Sequence, residues 1–158
     1  MILKHAIISS HVLIHCTNDH CIIAWSEECI RRDSVVSVIP VDNFPQALLF
    51  NPSNNDIYVA NRGSRTVSVI DGSNSTLLDT AIVGSEPVAL LFNPSNTDVY
   101  VGSVVSNSVS ILDSEKNTVA GTVDINSLPL ALEFNPSNKA VYVAGTLTGV
   151  DGLISVIE

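Results

Sequence analysis

Residues 45–54 have the sequence PQALLFNPSN, and the same block returns as PVALLFNPSN at residues 87–96 and as PLALEFNPSN at residues 129–138. The steps from 45 to 87 and from 87 to 129 are both 42 residues long. An internal period of this length is the signature of a repeat protein such as a solenoid or a propeller. The repeat units therefore begin near residues 45, 87 and 129, and their internal pattern decides the fold.

Each unit is patterned for strands. Residues 66–70 (TVSVI) and 56–60 (DIYVA) are rich in β-branched side chains and are bounded by turn residues. Residues 51–54 (NPSN) indicate a turn, because proline fixes φ and the side chains of Asn and Ser bond nearby backbone groups. We interpret these turns as structural rather than as a row of ligand sites. Four short strands in 42 residues predict one antiparallel propeller blade.

The units resemble the YVTN β-propeller repeats of archaeal surface-layer proteins and related bacterial proteins. The resemblance rests on the repeated block, on YVAN at Tyr58–Asn61 and on VSVID at Val67–Asp71, and it covers roughly residues 34–158. It implies a propeller fold and a surface or interaction role. It also favours a cell-surface or extracellular location, although no signal peptide is visible.

We therefore predict an all-β chain with about four β-propeller blades of four antiparallel strands, forming a partial, open propeller. Three units are clear within residues 34–158, and residues 1–33 are interpreted as a degenerate N-terminal blade remnant. Residues 34–41 (SVVSVIPV) precede the predicted fourth strand of the first unit by 42 residues and predict a fourth strand of their own. A closed four-blade ring and a fragment of a longer protein remain alternatives for the 158 residues.

The composition argues against three classes of protein: nucleic-acid binders, disordered proteins and membrane-spanning proteins. The formal net charge of −9 argues against nucleic-acid binding, which needs basic surfaces opposite phosphates. A chain that is 46% hydrophobic and 15% charged does not have the composition of a disordered protein. No segment offers the roughly 20 consecutive apolar residues of a membrane span, so no membrane insertion is predicted.

Residues 1–33 contain every histidine and every cysteine of the sequence. Imidazole and thiolate groups are good zinc ligands, and residues 15–21 (HCTNDHC) bring four of them together in sequence. Their spacing matches none of the familiar zinc or haem-attachment patterns. We therefore predict no metal site and no cofactor.

Binding residues are expected where the units differ. In a propeller of this kind, the loop entering the first strand shares one face with the loop between the second and third strands. That face would carry the candidate binding residues Arg62, Arg65, Glu86 and Asn107. The two arginines would offer a docking point for an acidic partner; alternatively, they only keep an acidic surface soluble.

The predicted function is a non-catalytic interaction or cell-surface structural module that binds a protein partner or associates with itself. An open propeller exposes an apolar blade face and a bare strand edge, which predicts a homo-oligomer. The alternative is a fragment of a larger propeller protein or propeller enzyme of lactonase, lyase or redox-domain type. No histidine follows His20, and Glu133 is the one acidic residue where the earlier units have Leu49 and Leu91. We therefore predict no catalytic residues.

Overall fold

The computed structural model describes residues 4–7, 13–17, 20–22, 35–147 and 151–158, and these ranges contain fourteen strands and no helix. The three N-terminal strands are β1 (Lys4–Ile7), β2 (Leu13–Thr17) and β3 (His20–Ile22). The strands of the first repeat are β4 (Pro45–Asn51), β5 (Asp56–Asn61), β6 (Thr66–Asp71) and β7 (Thr76–Ile82). Those of the second are β8 (Pro87–Phe92), β9 (Val99–Ser103), β10 (Ser108–Asp113) and β11 (Thr118–Asp124). The third repeat contributes β12 (Leu128–Phe134), β13 (Val141–Leu147) and β14 (Asp151–Ile157).

The chain forms two compact units, Met1–Val38 and Ile39–Glu158. In the first unit, β1, β2 and β3 make an antiparallel sheet in chain order, and Cys16 lies directly opposite Cys21 in the β2–β3 pairing. His11 and Cys29 lie outside the described residues. The division of the sequence at residue 33, and the blade remnant before it, stay predictions.

The second unit confirms the predicted fold class. Its sheets have the orders β4-β5-β6-β7, β8-β9-β10-β11 and β12-β13-β14, and all of their pairings are antiparallel. Each sheet corresponds to one repeat, with its strands hydrogen-bonded in chain order as in a propeller blade. Three successive blades therefore form an open propeller.

The repeated NPSN segments close the turn between the first two strands of every sheet. The side-chain oxygen of Asn51 accepts a hydrogen bond from the backbone N–H of Ser53 at 2.9 Å, and the same bond recurs in the next two units. The fourth residue, Asn54, accepts from the N–H of Asp56 at 3.1 Å and donates to the hydroxyl of Tyr58 at 3.1 Å. The side-chain oxygens of Asn51 and Asn54 are thus used within the turn, which supports the structural interpretation, whereas Asn51 Nδ2 is buried without a hydrogen-bond partner.

The blades are held together by apolar cores that repeat with the sequence. We call the side of a sheet that meets the next repeat its leading face, and the side that meets the preceding repeat its trailing face. The core between the first and second sheets joins the leading-face residues Tyr58, Val67 and Val69 to the trailing-face residues Val101 and Leu112. The core between the second and third sheets joins Tyr100, Val109 and Ile111 to Val141 and Val143 in the same way. The innermost strands β4, β8 and β12 contact one another in sequence, which places the first strand of each repeat on the inside.

The predicted strand at residues 34–41 is wrong for the described residues 35–41, which belong to no strand. The segment has the β-branched composition of a strand, but Val35, Val36 and Val38 are exposed. A strand needs the edge of another strand to satisfy its backbone groups, and no described edge pairs with this segment. Composition and spacing alone therefore overestimated its structure.

Candidate functional site: a groove on the loop face

The loops that enter the first strands meet the loops between the second and third strands, as the repeat pattern predicts. The backbone N–H of Arg62 donates to the carbonyl of Phe44 at 2.9 Å, and that of Val104 donates to the carbonyl of Glu86 at 3.0 Å. Serine side chains form a second hydrogen bond between the same loops: Ser64 Oγ accepts from the N–H of Asn43 at 2.9 Å, and Ser106 Oγ accepts from the N–H of Ser85 at 2.6 Å. We call this side of the second unit the loop face; it comprises residues 42–44, 62–65, 84–86, 104–107 and 125–128.

A groove of about 730 Å³ opens on the loop face. Three of its lining residues occupy one position in the three repeats, because Gln46, Val88 and Leu130 are each the second residue of the repeated block. The second-to-third strand loops and the entry to β12 supply the rest of the lining, namely Arg62, Val104, Val105, Asn107 and Leu128. The groove is therefore built from positions that are equivalent in the fold but different in side chain.

Arg62 and Glu86 form an ion pair beside the groove. Arg62 Nη2 lies 2.7 Å and Nε lies 3.0 Å from Glu86 Oε2. Both side chains are partly exposed, so we expect the pair to add less than about 1 kcal/mol to stability. Its main effect is to tie the first blade to the second and to orient the guanidinium group at the groove wall. A second cavity of about 350 Å³, lined by Phe44, Gln46, Arg62, Gly63 and Glu86, adjoins this pair.

The structure brings three of the four candidate binding residues to these cavities. Arg62 lines both, Asn107 lines the larger and Glu86 lines the smaller. Arg65 lines neither, although its φ of 60° is close to the 50° of Asn107 at the equivalent position of the second repeat; the carbonyl of Arg65 accepts a hydrogen bond from the N–H of Val83 at 3.0 Å. Binding by any of the four stays a prediction.

The sequence reasoning missed the first-strand lining of the groove. It compared Leu49, Leu91 and Glu133, but Leu49 and Leu91 pack into the cores between sheets. The position that faces the groove is held by Gln46, Val88 and Leu130. The signal was present in the aligned repeats, because this position carries three different side chains within a block that otherwise changes only at Glu133.

Carboxylates collect at the opposite ends of the strands. Asp56 pairs directly with Asp71 across β5 and β6, and burial, followed by the charge of Asp71, raises the pKa of Asp56. Burial, followed by the charge of Asp113, raises the pKa of Asp98 in the second repeat. Hydrogen bonds from the side chain and backbone of Lys116 lower the pKa of Asp113 itself. Within the described ranges, these and other carboxylates form no group with His or Cys that could hold a metal ion.

No helix in the described parts of the chain reaches the length and hydropathy that crossing a bilayer requires.

No family model and no curated protein matches the sequence. Among solved structures, the chain is similar to the hydrazine synthase of Kuenenia stuttgartiensis, with a TM-score of 0.69, 21% identity, and coverage of 78% of this chain and 35% of that one. It is also similar to dihydro-heme d1 dehydrogenase NirN, with a TM-score of 0.65, 13% identity, and coverage of 92% and 32%. The chain is similar as well to the WD40 β-propeller domain of Doa1, with a TM-score of 0.59, 15% identity, and coverage of 93% of this chain and 43% of that one.

These neighbours show a β-propeller fold. This chain spans about a third of the length of the first two proteins. The low identities limit the likeness to the fold, because one fold carries many unrelated functions.

Proposed function

We propose that residues 34–158 form a non-catalytic binding module of the YVTN repeat type, which takes a segment of a protein partner in the loop-face groove. The observation that carries this proposal is the lining of the groove. Positions that are equivalent in the fold change from Gln46 to Val88 to Leu130 and from Arg62 to Val104, and they converge on one concave surface. Binding surfaces commonly vary on a constant scaffold, since loops and rims change without disturbing the core.

The lining defines the chemistry of the partner segment. Val88, Val104 and Leu130 supply an apolar floor, and Asn107 supplies a neutral amide. Arg62 adds a cation to the lining, and a carboxylate on the partner would compete with Glu86 for its guanidinium group. We therefore expect a peptide segment with apolar side chains and one acidic residue.

A binding role is favoured over catalysis by the same lining. Among the residues that line the two cavities, only Arg62 and Glu86 are charged, and they are paired with each other. General acid–base or nucleophilic chemistry needs titratable groups held near a reacting atom. The resemblance to surface-layer repeats favours a cell-surface or extracellular place for such a module.

The proposal is tested with a displayed library of random peptides of about 12 residues, selected on the purified chain. We expect enriched peptides to combine apolar residues with Asp or Glu and to bind Leu130→Glu at least about tenfold more weakly, because the new charge lies in the apolar floor. Leu130 is exposed, so the variant should fold. Thr122→Glu, which adds the same charge on the exposed side of β11, is the matched control. Enriched peptides that bind Leu130→Glu as well as the wild type would contradict the proposed site.

A further inference from the structure

Two apolar sheet faces in the second unit are exposed. On the trailing face of the first sheet, Leu48 is 70% and Phe50 is 49% exposed. On the leading face of the third sheet, Ile154 is 62% and Val156 is 49% exposed. Contiguous exposed apolar surface of this kind marks a place where another surface packs.

The equivalent trailing-face residues are partly buried and packed into a core where the chain provides a neighbouring sheet. Leu90 and Leu132 are the equivalents of Leu48 in the second and third repeats, and they pack into the first and second inter-sheet cores. Phe134, which is equivalent to Phe50, packs into the second core. The first sheet therefore presents the same surface that the second and third sheets use to bind the preceding blade.

The leading-face residues of the third sheet have equally clear equivalents. The third repeat is three residues longer before β14, so Ile154 corresponds to Val67 and Val109, and Val156 corresponds to Val69 and Ile111. All four of these equivalents belong to the two inter-sheet cores. The third sheet therefore presents the surface that the first and second sheets use to bind the following blade.

We propose that the leading face of the third sheet of one copy packs on the trailing face of the first sheet of a second copy. The two faces are the two halves of an interface that the chain already forms twice, so the new contact continues an existing one. The second units of two copies contribute three sheets each, which makes six blades, and six lies within the four to eight of closed propellers. The expected assembly is a dimer closed by two such contacts, and it does not depend on a ligand in the loop-face groove.

Glu133 sets the strength of this contact. It lies opposite Tyr142 on the leading face, at the position of Leu49 and Leu91, which pack into the two cores. Burying a carboxylate there is costly, because its charge loses water without gaining a cation. The contact between copies is therefore weaker than the internal ones, and Glu133→Leu should lower the dissociation constant of the dimer by about tenfold.

The association is measured by sedimentation velocity and light scattering on the full chain from about 1 μM to 1 mM. The wild type should reach twice the chain mass of 16.8 kDa. Leu48→Glu and Val156→Glu should each sediment as a monomer, because each places a charge in one half of the interface. Both positions are exposed, and unchanged circular dichroism would show that the variants are folded. Thr122→Glu on the middle sheet should dimerise like the wild type.

Mixing the two monomeric variants tests whether a leading face packs on a trailing face, rather than two identical faces packing on each other. The Leu48→Glu copy keeps its leading face and the Val156→Glu copy keeps its trailing face, so a 1:1 mixture should form a heterodimer through one intact contact. Fluorescent labelling of one variant detects this species directly. Three results would each overturn the proposal. The wild type could stay monomeric at the highest concentration, either single variant could still dimerise, or the mixture could show no heterodimer.

Discussion

Residues with positive φ recur at the same place in the turns of successive repeats. Between the first and second strands they are Asn55 at 65°, Thr97 at 64° and Lys139 at 61°. Left-handed backbone costs an ordinary residue about 1 kcal/mol, and Asn tolerates it better than most. A β-branched side chain such as that of Thr97 tolerates it poorly. The turn geometry is therefore common to the repeats, but the cost of the positive φ differs with the residue that adopts it.

Thr97→Asn should stabilise the protein. The substitution gives the second repeat the residue that the first has at Asn55, and it relieves about 0.5–1 kcal/mol of backbone strain. Little is lost with the hydroxyl, which donates only to the carbonyl of the adjacent Asn96 in an exposed turn. Thermal or urea unfolding measures the gain, which corresponds to a few degrees in Tm at most.

The reverse substitution in the first repeat is the matched control. Asn55→Thr should destabilise the protein, because it introduces the same strain and removes the hydrogen bond from Asn55 Nδ2 to Ser73 Oγ. A Thr97→Asn variant that unfolds more easily than the wild type would show that backbone strain does not dominate at this turn.

The turns also connect neighbouring elements across blades. Tyr58, on β5, receives a hydrogen bond from Asn54 Nδ2 and donates one to Asn117 Oδ1 at 3.4 Å in the second repeat. Asn54 Nδ2 also contacts the carbonyl oxygen of Ser114 at 3.2 Å. The equivalent Tyr100 receives bonds only from Asn93 and Asn96 of its own repeat, among the described residues. The hydroxyl of the repeated tyrosine thus forms hydrogen bonds to two repeats at Tyr58 and only to its own repeat at Tyr100.

Tyr58→Phe should destabilise the protein more than Tyr100→Phe. Both changes remove a hydroxyl from a buried ring, but only the first breaks a bond between blades and leaves Asn117 without that partner. We expect a loss of about 1 kcal/mol for Tyr58→Phe and about half of that for Tyr100→Phe, measured by urea unfolding. Equal losses would indicate that the bond to Asn117 contributes nothing to blade packing.

The elements of the repeats could be predicted closely because local pattern and tertiary partner agree in them. The predicted strand at 56–60 is β5 (Asp56–Asn61), and the one at 66–70 is β6 (Thr66–Asp71). Residues 34–41 have a similar pattern but no described partner edge, so the pattern alone misled. The loop face followed from aligning the repeats, but the lining of the groove did not. Arg65 lies outside the groove, while Asn107, its equivalent in the second repeat with a similar positive φ, lines it, because the lining depends on which loops of neighbouring sheets converge.

At the scale of the whole molecule, stability of the second unit comes from repetition of one interface. Tyr58 and Val67 in the first core have the same role as Tyr100 and Val109 in the second. In repeat architectures, stability is approximately a sum of terms within repeats and terms between neighbours. The middle sheet has both neighbours within the chain, while the outer two have one each, so the apolar surface left over is concentrated at the ends.

Amide hydrogen exchange followed by mass spectrometry tests most directly whether each 42-residue repeat is one blade. Slow exchange should recur with the repeat period, strongest in the inner pairs β5–β6 and β9–β10 and in β13, because these strands are hydrogen-bonded on both sides. The NPSN turns, which precede β5, β9 and β13, should exchange fast in all three repeats. Protection confined to one repeat, or protection that crosses the turns without the 42-residue period, would contradict the blade assignment.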